Sequence, residues 1–245
     1  MADSATLDIV FDNYPFRPDM RPLWGFAAVL RVAGRTILFD TGSNGRVLLD
    51  NMAALTIDPA AIDLMFLSHP HWDHIGGFDS ILELNPGVTV VVHDGFSRHL
   101  IHDLRGLCGE LIVVGAEPQE LAPGVWSSGR LDSEPPEQAL VIATPDTTAA
   151  ISGCAHPGME RIVARAGDFI GRPVDWAIGG FHLMDADETA IARAIAGLQA
   201  LGVRRVVPTH CTGDPAKAAF GRAWGEYCLE GGVGRQIELS SALRS

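Results

Sequence analysis

Four side chains that can bind a metal ion occur within six residues of one short stretch. They are His69, His71, Asp73 and His74, in the order His-x-His-x-Asp-His. Histidine is the commonest protein ligand for zinc-like ions, and a carboxylate completes many such sites. The spacing predicts that His69 and His71 bind one ion while Asp73 and His74 turn toward a second ion about 3.5–4 Å away. A structural zinc site is disfavoured, because the chain contains no Cys-x-x-Cys pair.

The residues around this cluster place it in a loop at the end of a strand. Ile62 to Leu67 is a mainly apolar run that predicts a buried strand, and Gly76-Gly77 then precedes the apolar spacing of a helix. The same patterns predict further strands at 7–11, 26–32, 35–39, 88–92, 111–114, 139–143, 147–151, 174–178 and 204–207. Four helices are predicted: one over 44–55, one that begins at 159, one that runs from a capping box at Asp185 to 201, and one that begins at 214. The sequence therefore predicts alternating strands and helices around one histidine loop.

Three more histidines stand where an apolar strand meets a turn, and these are His156, His182 and His210. An open catalytic zinc site has three protein ligands, so His156 is predicted to complete the first site that the cluster begins. His210 is predicted to complete the second set of ligands. His182 leaves three roles open: ligand to the second ion, hydrogen-bond partner of the substrate, or acid. The other histidines are expected to be structural or surface residues: His93, His99 and His102.

Several neighbouring residues have two interpretations. Asp40 follows a strand, where its carboxylate either accepts the outer N–H of a metal-bound imidazole or caps the Thr41-Gly42 turn, and both interpretations stay open. Cys154 and Cys211 flank ligand positions, but we expect small buried packing residues rather than ligands. Trp24 lies in a proline-rich segment, and we expect it to pack in the core rather than to line the substrate pocket.

Motifs along most of the chain resemble those of the metallo-β-lactamase superfamily. Beside the histidine cluster, the matching stretches are Phe39-Asp40-Thr41-Gly42, Ser152-Gly153-Cys154-Ala155-His156, Gly179-Gly180-Phe181-His182-Leu183 and Thr209-His210-Cys211-Thr212-Gly213. Within that superfamily they resemble the dihydropterin-linked branch, typified by the methanopterin-precursor synthase. The resemblance implies a four-layer αββα sandwich of two mixed β-sheets, an α/β fold. It also implies one or two metal ions at the edge where the sheets meet, with Asp40 supporting the histidine loop.

The chain departs from the family pattern at two places. Most of the superfamily has a bridging Asp near 179–182, whereas the donor available here is His182. The dihydropterin-linked family has a longer segment with an Ile-Pro-Arg motif and paired acids where this chain has 128–131 and 137–140. That segment is expected to contact substrate, so the family's particular reaction does not follow from the resemblance.

Composition and charge limit the partners. The chain has 245 residues, which fits a single domain over 1–245, and 18 basic against 30 acidic residues give a net charge of −12. This charge argues against nucleic-acid binding. The four cysteines are widely spaced and are expected to be reduced. No apolar run approaches the 18 residues of a membrane-spanning helix, and no leader pattern occurs. We therefore expect a cytoplasmic protein without a membrane partner, and its oligomeric state is left open.

Together the motifs predict a metal-dependent hydrolase. One or two ions lower the pKa of bound water, supply hydroxide and polarise a carbonyl or phosphoryl oxygen, while Asp73 steers the attack and His182 is a candidate catalytic group. Zinc is the expected cofactor, with iron or manganese as alternatives. The substrate is expected to be a small ester, phosphoester or lactone. It would be anionic if the helix from Met159 points its N-terminus at the site. The alternatives are a pterin-linked transferase, a di-iron redox protein and a non-catalytic metal-binding module.

Overall fold

The computed structural model describes residues 5–240. Within this range the chain forms thirteen strands and seven α-helices. The strands are β1 (Ala5–Asp12), β2 (Phe26–Val32), β3 (Arg35–Phe39), β4 (Leu64–Phe66), β5 (Thr89–His93), β6 (Glu110–Val114), β7 (Gln119–Ala122), β8 (Val125–Ser127), β9 (Leu140–Ala143), β10 (Thr148–Ser152), β11 (Trp176–Gly180), β12 (Arg205–Thr209) and β13 (Gln236–Leu239). The helices are α1 (Gly45–Ala54), α2 (Trp72–Ile75), α3 (Phe78–Leu84), α4 (Arg98–Leu107), α5 (Met159–Ile170), α6 (Glu188–Ala200) and α7 (Asp214–Trp224).

The strands form two mixed sheets. The first has seven strands in the order β13-β1-β2-β3-β4-β5-β6, and the second has six in the order β12-β11-β10-β9-β8-β7. In the first sheet β3 to β6 are parallel neighbours, and in the second β10, β11 and β12 are parallel. The remaining pairs are antiparallel. Each sheet therefore has one block of parallel strands whose carboxyl ends share an edge.

Three apolar clusters separate four layers. One cluster joins the two sheets, with Phe39 and Phe66 of the first sheet packed in the same core as Leu140 and Ile178 of the second. Another lies between the first sheet and helices α1, α3 and α4. The third lies between the second sheet and helices α5, α6 and α7. The predicted αββα sandwich of two mixed sheets is confirmed.

Local capping sets the helix ends. The Asn44 side chain accepts a hydrogen bond from the Val47 amide, so α1 begins where the sequence predicted. The capping box expected at Asp185 is wrong by two residues, because the side chain that accepts the Ala190 amide belongs to Asp187. The hairpin of β7 and β8 was also missed, since these strands are short and lie in a turn-rich segment.

The parallel blocks position the candidate site. Asp40 directly follows β3, and His156 comes shortly after β10. His69 and His71 lie in the loop between β4 and α2, whereas Asp73 and His74 lie within α2, so the prediction that the whole cluster forms a loop is wrong for these two residues. His182 and His210 follow β11 and β12. Carboxyl ends of parallel strands are where α/β sheets most often hold ligands. The two blocks meet at one edge and bring these residues together.

Candidate metal centre

The first group of possible ligands contains His69, His71 and His156. One ring nitrogen from each lies within 4.8 Å of the others. His69 Nε2 is 3.2 Å from His71 Nδ1, and the ring of His156 lies 4.6 Å and 4.9 Å from the rings of His69 and His71. The structure therefore brings together the three residues predicted for the first ion. We call them the first triad.

The second group contains Asp73, His74 and His210. His74 Nε2 is 3.3 Å from His210 Nε2, and Asp73 Oδ2 is 3.4 Å from His210 Nε2 and 3.7 Å from His74 Nε2. All three side chains are buried. The structure brings together the residues predicted for the second ion, which we call the second triad.

These distances fit metal coordination. Two ligand atoms that each lie 2.0–2.1 Å from a tetrahedral ion are about 3.3–3.4 Å apart. The shortest separations in the two triads, 3.2 Å and 3.3 Å, are close to that value. His74 and His210 each donate their Nδ1 proton to another residue, so two nitrogen lone pairs face each other across 3.3 Å. Such a contact is repulsive unless a proton or a cation lies between the atoms, and the donor set therefore fits a metal ion.

Asp40 connects the histidine loop to the rest of the site. Its carboxylate accepts hydrogen bonds from the Ser68 amide, the Ser68 hydroxyl and His74 Nδ1 at 2.7, 2.7 and 2.8 Å. Ser68 Oγ in turn accepts the Nδ1 proton of His69 at 2.9 Å. Of the two interpretations of Asp40, this geometry favours the support of metal-facing imidazoles, because two outer nitrogens depend on one carboxylate.

Glu137 has the same relation to His156, and the sequence analysis did not assign it a role. Its carboxylate is completely buried and accepts the His156 Nδ1 proton at 2.9 Å. It also accepts hydrogen bonds from the Ser152 hydroxyl and from the amides of residues 153–156. Burial opposes ionisation, but the imidazole of His69 and the hydrogen bonds from His156 hold the pKa of Glu137 well below its usual range. No local pattern in the sequence marks this acid, because its contacts come from residues 152–156.

The side-chain amide of Asn13 supports the outer nitrogen of His210. Asn13 Oδ1 accepts the His210 Nδ1 proton at 2.9 Å, and Asn13 Nδ2 donates to the His210 carbonyl at 3.3 Å. This residue was also missed. The neighbouring Asp12 is buried and accepts the Thr209 hydroxyl, and burial raises its pKa to about 6. Strand β1 therefore holds the turn after β12 in place.

The ligand groups differ in their affinity for protons. Burial and the positive charge of His74 lower the pKa of His69 well below its ordinary value, which keeps that imidazole neutral and able to bind metal. Burial would raise the pKa of Asp73, but the neighbouring imidazoles of His210 and His74 lower it to about 2. Asp73 is therefore ionised near neutral pH. His69 and Asp73 are thus in the forms that metals bind, a neutral imidazole and an ionised carboxylate.

His182 lies on the side of the first triad. Its ring is 4.6 Å from the ring of His156, and a ring nitrogen clusters with Cys154 and His156. The clusters found among residues 5–240 do not join His182 to Asp73. A hydrogen bond to Cys211 raises its pKa despite partial burial. This position favours contact with substrate or with the first ion over the role of ligand to the second ion.

Two aromatic residues mark the accessible side of the site. The ring of Trp24 lies 5.1 Å from that of His210 and the residue is 39% exposed, so the expected core packing of Trp24 is wrong. Trp72, the first residue of α2, is 62% exposed, and His71 also reaches solvent. Helix α5 begins three residues after His156, as predicted. His93 is buried at the end of β5, outside both triads.

Comparison with known proteins gives consistent matches. The sequence profile of the metallo-β-lactamase superfamily matches residues 21–210. The 7,8-dihydropterin-6-methyl-4-(β-D-ribofuranosyl)-aminobenzene-5'-phosphate synthase of Methanocaldococcus jannaschii is 30% identical over 231 residues, with 76% of this chain and 78% of that protein covered. A solved metal-dependent hydrolase of the β-lactamase superfamily has a TM-score of 0.80 at 22% identity and covers 96% and 99% of the two chains. The metallo-β-lactamase fold protein YhfI from Bacillus subtilis gives 0.72 at 15% identity with the same coverage.

The two solved structures are similar in fold alone at these identities, and they agree with the αββα layering described above. The profile spans most of the chain, from the proline-rich segment before β2 to His210. By this match and by its fold, the chain belongs to the metallo-β-lactamase superfamily.

Proposed function

We propose that this protein is a metal-dependent hydrolase of a small ester, phosphoester or lactone. The observation that carries the proposal is the pair of triads at one sheet edge, with their inner atoms at metal-ligand spacing. The outer nitrogens of His69, His74, His156 and His210 are already bonded to protein. A site with three protein ligands leaves a coordination position for substrate, which suits turnover better than storage. The exposed side chains of His71 and Trp24 indicate that a small molecule can reach it.

Each residue has a distinct role in this proposal. The first triad and the second triad hold the ions, and Asp40, Glu137 and Asn13 fix the imidazoles so that the nitrogen facing the site carries no proton. Bound ions of this kind polarise a substrate oxygen and lower the pKa of water. Asp73, as the carboxylate of the second triad, orients the attacking group. His182, beside His156, is placed to contact the substrate or to donate a proton to the leaving group.

The test pairs metal content with turnover. Purified protein is assayed on a panel of esters, lactones and phosphodiesters, before and after a chelator removes metal, and metal is counted by elemental analysis. His71→Ala and His156→Ala should lose bound metal and hydrolysis together. His99→Ala, an exposed histidine of α4, is the matched control and should keep both. A chelated protein with undiminished turnover, or a metal-loaded protein inactive on the whole panel, would count against hydrolysis.

Metal identity follows from the same preparation. Imidazole and carboxylate ligands accept zinc, iron or manganese, and we propose zinc because nitrogen donors dominate both triads. Elemental analysis of the protein as purified, together with its absorption spectrum, separates a zinc site from a di-iron site. A coloured, iron-loaded protein would revive the redox alternative.

A second candidate is pterin-linked transfer. It is favoured by the 30% identity to the methanogen synthase and by the exposed indole of Trp24, a surface on which a flat heterocycle can stack. In this reaction an arylamine nitrogen bonds to the pterin methylene carbon, and the bond from that carbon to the pyrophosphate oxygen breaks. The same ions would stabilise the leaving pyrophosphate. Incubation of the protein with hydroxymethyl-dihydropterin pyrophosphate and a ribofuranosyl-aminobenzene phosphate, with and without metal, distinguishes transfer from hydrolysis by the product formed.

A small molecule is the proposed partner under either candidate. None of the helices between residues 5 and 240 is long and apolar enough to cross a membrane. Retained metal combined with failure in both assays would favour the non-catalytic metal-binding alternative.

A further inference from the structure

The thiol of Cys154 lies between the two triads. Its Sγ is 3.3 Å from His74 Nε2 in the second triad. It also lies within 4.8 Å of a ring nitrogen of His69, His156 and His210. Cys154 is buried, and its side chain therefore faces the ligand atoms rather than solvent. Among residues 5–240, no other side chain outside the two triads shares such clusters with histidines of both triads.

Position 180, at the end of β11, has no room for a side chain. The superfamily's bridging carboxylate was expected near 179–182, where β11 ends in Gly179-Gly180. A Cβ atom at Gly180 would lie 2.6 Å from Cys211 Sγ, 2.4 Å from the Gly153 carbonyl and 3.1 Å from Cys154 Cα. Such contacts exclude an aspartate at position 180. The Cys211 thiol and the backbone of residues 153 and 154 fill this space instead.

We infer that the Cys154 thiolate is an anionic ligand shared by the two metal ions. This inference rests on the proposed function, since it requires that the triads bind metal. Asp73 is the only carboxylate in the triads. Two divalent ions bring four positive charges to a buried site, and a second anionic ligand reduces the uncompensated charge.

The distances agree with a thiolate ligand. An ion 2.3 Å from sulfur and 2.0–2.1 Å from nitrogen, at a tetrahedral angle, separates the two ligand atoms by about 3.5–3.6 Å. Cys154 Sγ and His74 Nε2 are 3.3 Å apart, so one ion can contact both with little movement. Metal binding releases the thiol proton to solvent and forms the metal–sulfur bonds, without any change in oxidation state.

Cys211 has a different role. Its Sγ lies 3.5 Å from the Cys154 carbonyl and hydrogen bonds to His182, so it holds the segment that carries Cys154. We therefore assign Cys211 as a positioning residue. A sulfur ligand also affects metal choice, because thiolates favour zinc, cobalt and iron over manganese, which prefers oxygen. The site should select zinc over manganese more strongly than nitrogen and oxygen ligands alone would.

The test replaces zinc by cobalt(II) in the full-length protein. Cobalt bound to a thiolate shows sulfur-to-cobalt charge-transfer absorption in the near ultraviolet, whereas cobalt bound only to nitrogen and oxygen does not. Wild-type protein should show this absorption once cobalt binding is verified by elemental analysis. Cys154→Ser should lose it and should bind zinc about 10- to 100-fold more weakly, with a smaller loss for manganese. Cys211→Ser should keep the absorption, and so should Cys228→Ser, a half-buried cysteine outside the clusters.

A measurement on unmodified protein keeps the inference testable if Cys154→Ser does not fold. X-ray absorption at the zinc edge should contain a sulfur scatterer about 2.3 Å from the metal. Zinc bound with nitrogen and oxygen neighbours alone would overturn the thiolate ligand but leave the metal site intact. An absorption retained in Cys154→Ser and lost in Cys211→Ser would also overturn it, because the ligand would be the other cysteine. A wild-type protein that binds no metal would overturn both this inference and the proposed function.

Discussion

Replacement of Glu137 by glutamine isolates the contribution of one buried carboxylate to the site. In Glu137→Gln the volume is almost unchanged, but an NH2 group replaces one oxygen. In the wild-type protein, Oε1 accepts hydrogen bonds from the Ser152 hydroxyl and the amides of residues 153–155, while Oε2 accepts the amide and the Nδ1 proton of His156. With the glutamine oxygen at the Oε1 position, its NH2 group faces two donors on His156.

The loss can be estimated from these contacts. The buried His156 amide loses its acceptor, which costs about 1–3 kcal/mol, and the other bonds lose their charge-assisted strength of about 1 kcal/mol each at most. We expect the apo protein to lose about 3–5 kcal/mol of unfolding free energy. The imidazole of His156 has one way to meet the new NH2 group: its proton moves from Nδ1 to Nε2, the atom that faces the first triad. Metal affinity should then fall about 10- to 100-fold.

Two measurements separate these effects. Urea unfolding of the metal-free proteins gives the stability loss, and competition with a chromogenic chelator gives the metal dissociation constant. Glu117→Gln is the matched control, because Glu117 is exposed and contacts no ligand. A Glu137→Gln protein that unfolds at the wild-type urea concentration and binds metal with wild-type affinity would refute the role assigned to this carboxylate.

Four further substitutions test separate parts of the site. Trp24→Ala should raise KM about five- to tenfold with little change in kcat, because an exposed indole provides binding surface rather than chemistry, and steady-state kinetics measures both. Gly153→Ala should cost about 1–3 kcal/mol in urea unfolding, because its Cβ would lie 2.3 Å from Ser68 Oγ and 2.9 Å from Asp40 Oδ2. For Asp12→Asn, the unfolding free energy relative to that of the apo wild type should rise by about 1.4 kcal/mol between about pH 5 and about pH 8. The folded pKa of Asp12, about 6, lies above the ordinary 3.8, so its stabilisation is present below pH 3.8 and lost as pH rises through 6. His182 has a φ of 52°, which asparagine tolerates and a β-branched residue does not. His182→Val should therefore be about 1–2 kcal/mol less stable than His182→Asn, although both variants lose the imidazole.

Each of these has a control or a contradicting result. Gly167→Ala, inside α5, should be neutral or stabilising, which shows that the loss at Gly153 is local. A Trp24→Ala effect confined to kcat would mean that the indole acts on the reaction itself. A pH-independent difference for Asp12→Asn would mean that the carboxyl is not protonated in the fold, and equal stability of the two His182 variants would mean that its backbone is unstrained.

The histidine cluster and the strand-end histidines were predictable because their signals are local. Residues 69–74 are close together in the sequence, and the positions of His156 and His210 at strand ends are visible from apolar runs that stop at turns. Parallel strands then place all these ends at one edge, whatever the details of packing. The periodicity predicted alternating strands and helices, and the four-layer order was implied by the family resemblance.

Apart from Asp40, the supporting residues were not predictable, because they depend on contacts between distant segments. Asn13 meets His210 across 197 residues, and nothing around it distinguishes an amide that orients an imidazole from one in an ordinary loop. Glu137 lies in a segment without a periodic pattern, and its six hydrogen bonds appear only when β10 docks beside it. Trp24 was misjudged for a related reason: an apolar residue is buried only if the fold provides a neighbour to cover it.

The backbone itself helps to aim the site. Asp40, Ala155, His182 and His210 all have positive φ, between 49° and 58°, a conformation that costs about 1–3 kcal/mol in a residue other than glycine. Each follows the end of a strand in one of the parallel blocks. A chain that continued in the extended conformation would carry these side chains along the sheet, whereas the left-handed turn directs them into the space between the two blocks. The strand pairing and the buried bonds to Asp40, Glu137 and Asn13 outweigh that strain, so the same contacts that orient the imidazoles also hold the backbone that presents them.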